Sequence, residues 1–282
     1  MQIIKNVAEM RSWINLKKSD GLAIGLVPTM GYLHEGHLSL VHKAKAENDA
    51  VVLSLFINPL QFGPKEDLAS YPRDLKADAL LAEQAGVDVI FHPEVAEMYP
   101  SYPPLTVVEV KDITERLCGA SRPGHFTGVT TVVSKLFNIV QPHRAYFGQK
   151  DYQQVQVIKQ MVQDLNMPVT IVTVPIKREI DGLALSSRNT YLSPEEREEA
   201  LCLNEALQIC LDRFKNGEKQ VSTLLEAMRG RITQAPSAEI DYVEICDAAS
   251  LKPLERIEGP AVAALAVRIG KTRLIDNMII GA

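Results

Sequence analysis

A chain of 282 residues is long enough for one large domain or two modest ones, and 46% apolar content fits an ordinary packed core rather than disorder. The formal charge of -5 lacks the basic excess of a dedicated nucleic-acid binder, so any anion site must be a local basic pocket. No apolar stretch reaches membrane-spanning length, the opening MQIIKNVAEM lacks a signal-peptide core, and Cys118, Cys202, Cys210 and Cys246 form no Cys-x-x-Cys pair, which together suit a cytoplasmic protein with reduced thiols.

Leu22 to Val27 is a short apolar run bounded by turn formers and predicts a buried strand. Pro28 is expected to end it, because proline cannot donate to a central ladder. In the following PTMGYLHEGH, residues 28–37, Gly31 permits a sharp bend and Gly36 lets a ligand approach the backbone. Leu38, Val41, His42 and Lys45 then follow a helical period. Such a strand, turn and helix start is expected to leave unpaired N–H groups and the positive helix end facing the turn, where a phosphate is favoured. His34 and His37 project to one side of that turn, and both can donate to phosphate oxygens. Either alone would more simply be a satisfied surface residue. Zinc is set aside: the metalloprotease pattern needs histidines four apart, and no third ligand is near.

Ala50 to Phe56 is a second buried strand, ending in the loop FINPLQFGP, 56–64. A helix over Arg73 to Ala85 is closed by Gly86, and Val87 to Phe91 is the next strand. A proline-rich loop leads to an expected strand over Thr106 to Val110. SRPGHFTGV, 121–129, reads as a loop carrying Arg122 and His125, ahead of a helix with Val129, Val132, Val133, Leu136, Phe137 and Val140 at helical spacing. Ala145 to Gly148 is a strand, FGQKDYQQ (147–154) turns it into a helix reaching Leu165, and Val169 to Val174 adds another strand. This alternation predicts an α/β, Rossmann-like parallel-sheet domain over residues 1–180. Each polar motif falls at the carboxyl end of a strand, where open sheets bind ligands, which argues for one shared site.

Past Asp181-Gly182 the pattern changes to a smaller α+β domain over 181–282. Ser193-Pro194-Glu195-Glu196 is a capping box, starting a helix expected to run to Gly217 with Leu203, Leu207, Cys210 and Phe214 inward. A helix over 221–232 and strands over Ile240 to Ile245 and Ala261 to Ile269 follow, then an apolar segment to Ile280. Gly270-Lys271-Thr272 looks like the tail of a P-loop, but Leu265 stands where a glycine is required and no helix follows, so that reading is rejected. LALSSRN, 183–189, is either a plain turn or a set of phosphate donors, with Arg188 able to bind two oxygens at once.

PTMGYLHEGH, FINPLQFGP, SRPGHF, FGQKDYQQ and LALSSRN, in this order and spacing, resemble the pantothenate synthetases, the pantoate–β-alanine ligases of the cytidylyltransferase-like superfamily. The resemblance spans most of the first 190 residues. LALSSRN stands where related synthetases carry a lysine-methionine-serine-lysine-serine loop, with Leu185 where many members of the family have methionine. The resemblance implies a two-step reaction: pantoate attacks the α-phosphate of ATP to give pantoyl adenylate and pyrophosphate, and β-alanine then displaces AMP. It implies ATP contacts from Met30, Gly31, Tyr32, Leu33, His34, Glu35, Gly36 and His37, from Gly148, Gln149, Lys150 and Asp151, from Lys177, and from Leu185, Ser186, Ser187 and Arg188. It further implies Gln61 and Gln154 on pantoate, Gln61 and Asn58 on β-alanine, Asp151 on the ribose hydroxyls, and His37 as a proton donor. Mg²⁺ bridging the phosphates, with no protein ligand identified, and a homodimer built through the first domain are also implied. Membrane and nucleic-acid partners are not.

The chemistry suits those residues. A carboxylate of pKa about 4 is already ionised at neutral pH, so the first step needs charge stabilisation rather than a base. His34, His37, Lys150, Ser186, Ser187 and Arg188 are the available donors. Neutral glutamines orient an acid without quenching it in an ion pair. Met30 and Phe56 are either an apolar wall for the pantoate methyls or plain core. In the second step the β-alanine ammonium, of pKa about 10, must lose a proton before it attacks. A different nucleotidyltransferase, such as a cytidylyltransferase or a tRNA-synthetase fragment, and a nucleotide-binding module without turnover are the alternatives.

Overall fold

The structure, a computed structural model, describes residues 1–64 and 66–281. Six parallel strands form the main sheet in the order β1-β4-β3-β2-β5-β6. They are β1 (Gln2–Ile4), β2 (Ile24–Thr29), β3 (Ala50–Leu55), β4 (Val89–Phe91), β5 (Arg144–Gly148) and β6 (Thr170–Val174). The strand order reverses between β2 and β5, which opens a crevice at their carboxyl ends. Alternation along the strands supplies two dry faces. Ile24, Leu26 and Val52 pack with α1 (Val7–Ser19), α6 (His125–Val140) and α7 (Tyr152–Asp164). Val27, Val51, Leu53 and Leu55 pack on the other face, under α2 (Glu35–Glu47) and α3 (Leu75–Gln84). Two single-turn helices, α4 (Val95–Met98) and α5 (Cys118–Ser121), lie in the long connection before α6.

Residues beyond 180 build α8 (Pro194–Glu199), α9 (Cys202–Lys215), α10 (Val221–Ile232) and an antiparallel sheet of β7 (Ala238–Asp247), β8 (Ala261–Ile269) and β9 (Thr272–Ile280). One face of this sheet packs under α9 and α10, while Cys246, Val262 and Ala264 on the other join the core of the main sheet. Burial on both faces explains why β8 is an almost unbroken apolar run. Gly270, at φ +55, and Lys271 form the tight turn between β8 and β9, so the rejected P-loop tail is a hairpin.

Five expectations need correction. Pro28 lies inside β2 and pairs with Ser54; β5 has left β2 by then, pairing only at Gly25 and Leu26, so no ladder bond on that side misses its N–H. Thr106 to Val110 is not a strand. Val108 instead donates its N–H to the Thr131 hydroxyl at 3.0 Å and accepts from Thr130 at 2.5 Å, so helix side chains satisfy the backbone that a ladder would. His125 is the first residue of α6 rather than part of a loop, because Gly124 in the left-handed region starts the helix earlier. The helix expected from Pro194 to Gly217 breaks at Ala200–Leu201: α8 buries no residue, whereas α9 turns Cys202, Leu203, Ala206, Leu207 and Cys210 onto the sheet. Finally, β1 and α1 were not anticipated. β1 is only three residues long and exists through its pairing with β4.

Candidate active site

The start of α2 is wired differently from a bare helix end. Tyr32 and Leu33 donate their N–H groups to the two oxygens of Asp78, at 2.8 and 2.7 Å, and Gly31 donates to Thr29 Oγ1. Gly36 donates to His34 Nδ1 at 3.1 Å, and His34 N–H points to His37 Nδ1 at 3.4 Å. The expected row of free N–H groups is therefore largely spent within the chain, contrary to the sequence reading. The compensation lies in the imidazoles: with each Nδ1 accepting, a neutral ring must carry its hydrogen on Nε2. The rings lie 4.1 Å apart between centroids. Burial, with Lys150 adding to it, lowers the His34 pKa to about 4; burial, then His34 and Lys150, lowers that of His37 to about 3. Both are uncharged donors at neutral pH. Gly36 has a reason beyond the one expected, since a Cβ there would also sit 2.8 Å from the His34 ring. At Gly31, φ +86 and a Cβ position 2.9 Å from the Asp78 carboxylate make any side chain strained.

A cleft beside this pair is lined by Met30, His34, Gly36, His37, Gly148, Lys150, Asp151, Lys177, Leu185, Ser186, Ser187 and Arg188. Twelve of the residues expected around a nucleotide thus converge on one cavity. The other five do not line it. Gly31, Tyr32 and Leu33 are tied to Thr29 or Asp78, Glu35 is exposed, and Gln149 turns its amide to Asn277. Asn277, on β9, also donates to the carbonyls of Gln149 and Lys150 at 3.0 and 2.9 Å, so the smaller sheet holds the turn that carries Lys150. Its neighbour Asp276 grips Arg178 with both oxygens, at 2.6 and 2.9 Å. Arg188 is occupied as well: Nε and Nη2 each reach Asp67 at 2.9 Å.

An adjoining cavity is lined by Met30, Phe56, Gln61, Val129, Val132, Val133, Leu136 and Gln154, so Met30 and Phe56 do form an apolar wall. Gln61 is held by Asn58, whose amide donates to Gln61 Oε1 at 3.1 Å and to Gly128 O at 3.0 Å, while its own oxygen accepts from Tyr99 at 2.8 Å. Asn58 is 1% exposed and faces neither cavity. The structure therefore puts it behind Gln61, not against a ligand as expected. The Gln61 carbonyl accepts from Arg122 Nη2 and His125 Nδ1, at 3.3 and 2.8 Å. Gln154 lines both cavities and has no side-chain hydrogen bond among the described residues.

Sequence reading missed Asp78, Asn277, Glu66 and Asp67. Asp78 carried a signal: with Leu75, Ala79 and Ala82 it is the one acid on the inward face of α3. Asp276-Asn277 carried another, as a polar pair inside the apolar run from Leu274 to Ile280. Glu66 and Asp67 carried none.

A crevice at the strand-order reversal, with imidazole donors at a helix start and a serine–arginine loop facing them, defines an α/β enzyme of the nucleotidyl-transfer class. The family model described as pantoate-beta-alanine ligase matches residues 2–279, and the chain belongs to that family. Pantothenate synthetase of Moorella thermoacetica is 59% identical over 281 residues, 99% of each chain. The crystal structure of pantothenate synthetase from Thermus thermophilus superposes with a TM-score of 0.94 at 48% identity, over 99% of each chain. The pantoate-beta-alanine ligase of Francisella tularensis, solved in complex with beta-gamma ATP and beta-alanine, gives 0.80 at 36% identity, over 99% of this chain and 97% of that one.

Proposed function

We propose that the chain joins pantoate to β-alanine using ATP, through a pantoyl adenylate, with release of AMP and pyrophosphate. The observation that carries this reading is a shared wall: Met30, His37, Asp151, Gln154 and Arg188 line both the nucleotide cleft and the cavity beside it. An acid oriented by Gln61 and Gln154 then stands next to the phosphates. Its carboxylate attacks the α-phosphorus and pyrophosphate leaves, while the Nε2–H groups of His34 and His37, Lys150 and the hydroxyls of Ser186 and Ser187 hold the charge that builds. Arg188 joins them by exchanging Asp67 for phosphate. Asp151 takes the ribose hydroxyls, and the backbone near Lys177 contacts the nucleotide.

The cleft brings Lys150, Lys177 and Arg188 together with the two histidine rings, and among the described residues no group of three His, Cys, Asp or Glu side chains could hold a metal alone. Lys150 and the Ser186 and Ser187 hydroxyls would hold a nucleotide whose Mg²⁺, when bound, would supply further positive charge. In the second step the neutral β-alanine amine attacks the acyl carbon of the mixed anhydride: the C–N bond forms, the bond from that carbon to the phosphate oxygen breaks so that AMP departs, and the nitrogen's surplus proton passes to water. A bound anion raises the pKa of His37, so its proton can follow charge onto the leaving phosphate.

Pure protein incubated with ATP, Mg²⁺, pantoate and β-alanine should yield AMP and pyrophosphate; formation of ADP would refute the reading. We also infer a homodimer through the first domain. Leu105, 94% exposed, and Val107 lie on a segment that has no strand partner among the described residues. Light scattering at the mass of one chain would exclude it. A smaller domain over 181–282 that closes on the site is part of the same reading, supported by the Asn277 clamp; small-angle scattering unchanged by ATP would count against closure. No helix among the described residues is long and apolar enough to cross a membrane. The four cysteines are unpaired and buried, which supports a cytoplasmic location.

A further inference from the structure

The ligase reading leaves one charge unmatched. β-Alanine brings a carboxylate as well as its amine, and a carboxylate entering a part-buried cavity needs a fixed cation. The nucleotide cleft offers Lys150, Lys177 and Arg188. The adjoining cavity offers Arg122 and Arg188, since its two histidines, His37 and His125, are neutral. Arg188 belongs to both and sits with the serine hydroxyls. Among the described residues, Arg122 is therefore the cation that faces the acid cavity without facing the nucleotide.

Its guanidinium is already aimed. Nη2 donates to the Gln61 carbonyl at 3.3 Å, and Nη1 lies 3.1 Å from His125 Nε2. His125 donates Nδ1–H to that same carbonyl at 2.8 Å, so its Nε2 is free to accept from Arg122. The remaining edge, Nε with Nη2, grips both oxygens of Glu66, at 2.8 and 2.5 Å. That fork is the geometry in which arginine receives any carboxylate. The next residue, Asp67, occupies Arg188 in the same two-toothed way. Two consecutive acids of one loop thus cover two arginines of the site, and on the reading above Arg188 is covered where phosphate would bind. One residue earlier in that loop, Glu66 covers Arg122 in the same way.

We propose that Arg122 receives the β-alanine carboxylate, and that Glu66 is its intramolecular stand-in, displaced when the amino acid enters. The assignment rests on the ligase reading and deepens it. Through Gln61, the same guanidinium ties acceptance of the second substrate to the residue that orients the first.

The test is steady-state kinetics of the whole enzyme with β-alanine and with 3-aminopropanamide, which keeps the amine and lacks the charge. Arg122→Gln should raise the KM for β-alanine roughly 10- to 100-fold and shrink the preference over the amide by a similar factor, as expected for a lost charge-assisted contact. Glu66→Gln should move the KM the other way, lowering it, because the competing carboxylate is gone. A merely structural ion pair predicts that both variants shift the KM in the same direction and leave the preference intact; either result overturns the proposal. Should Arg122→Gln fail to fold, a raised KM in Glu66→Gln alone is sufficient to overturn it. ATP–pyrophosphate exchange with pantoate and no β-alanine separates the two readings. No exchange in the unaltered enzyme defeats the ligase assignment, whereas exchange together with an unchanged preference in Arg122→Gln defeats only this one.

Discussion

At the scale of single residues, the site depends on acceptors that set which atoms are left to donate. His37 is informative because its Nδ1 faces main chain and its Nε2 does not, so a ring neutral at pH 7 still offers a hydrogen. His37→Ala should lower kcat of the full reaction about 100- to 1,000-fold, the usual effect of losing one well-placed donor. The 3.4 Å contact it gives up is worth about 1 kcal/mol of folding stability, so thermal melting should barely move. A melting loss as large as that of a core deletion would contradict this role. Asp78 is the converse case. Asp78→Ala orphans the N–H groups of Tyr32 and Leu33 and should destabilise by about 2–5 kcal/mol in a urea titration, with Asp78→Asn milder because one acceptor oxygen remains. Equal effects of the two substitutions would show that the hydrogen bonds are not what matters. His34 and His37 were legible because their spacing and the glycines around them are local. Asp78 is 45 residues from Leu33, and only packing of α3 against α2 brings the two together.

At the scale of elements, segments with their own period were readable and segments defined by a partner were not. The helix over 221–232 and the strand over 261–269 have the bounds expected, since each carries a continuous apolar pattern. The stretch over 106–110 has strand-like residues, but Thr130 and Thr131 on α6 hold it instead. Thr130→Val keeps the shape and removes the hydroxyl, leaving the Val108 carbonyl without that donor. It should cost about 1–2 kcal/mol and speed amide exchange at residues 106–110 more than in the main sheet. Uniform loss of protection across α6 and the sheet would instead indicate a global role. The break between α8 and α9 belongs to the same class: a capping box marks where a helix starts, but the surface it must cover decides where it bends.

For the whole molecule, burial of the site has a pH signature. His34 and His125 have pKa values lowered from 6.5 to about 4, and His37 to about 3, burial being the first cause in each. The unfolded chain takes up these protons near 6.5 and the folded chain resists, so their contribution to stability is fully present above that pH. It is lost as pH falls from 6.5 toward 4, and for His37 toward 3. The melting temperature should therefore drop through this window, and His37→Asn should blunt the drop; a flat profile between pH 6.5 and 4 would show that the histidines are not buried as described. The same burial ties the two sheets together, because β9 reaches the Lys150 turn through Asn277 and the second face of the small sheet shares the main core.

Taken alone, the amino-acid sequence determined the α/β class, most element bounds and the five motifs that meet at the carboxyl edge of the sheet, because hydrophobic period, turn formers and motif spacing are all properties of neighbours along the chain. Tertiary structure decided which donors remain free. It placed Asp78 under the histidine turn, Asn58 behind Gln61, and Glu66 and Asp67 on the two arginines. Those pairings join residues many positions apart, and a hydrogen bond, whose reach is about 3 Å, leaves no trace in composition or period until folding closes the distance.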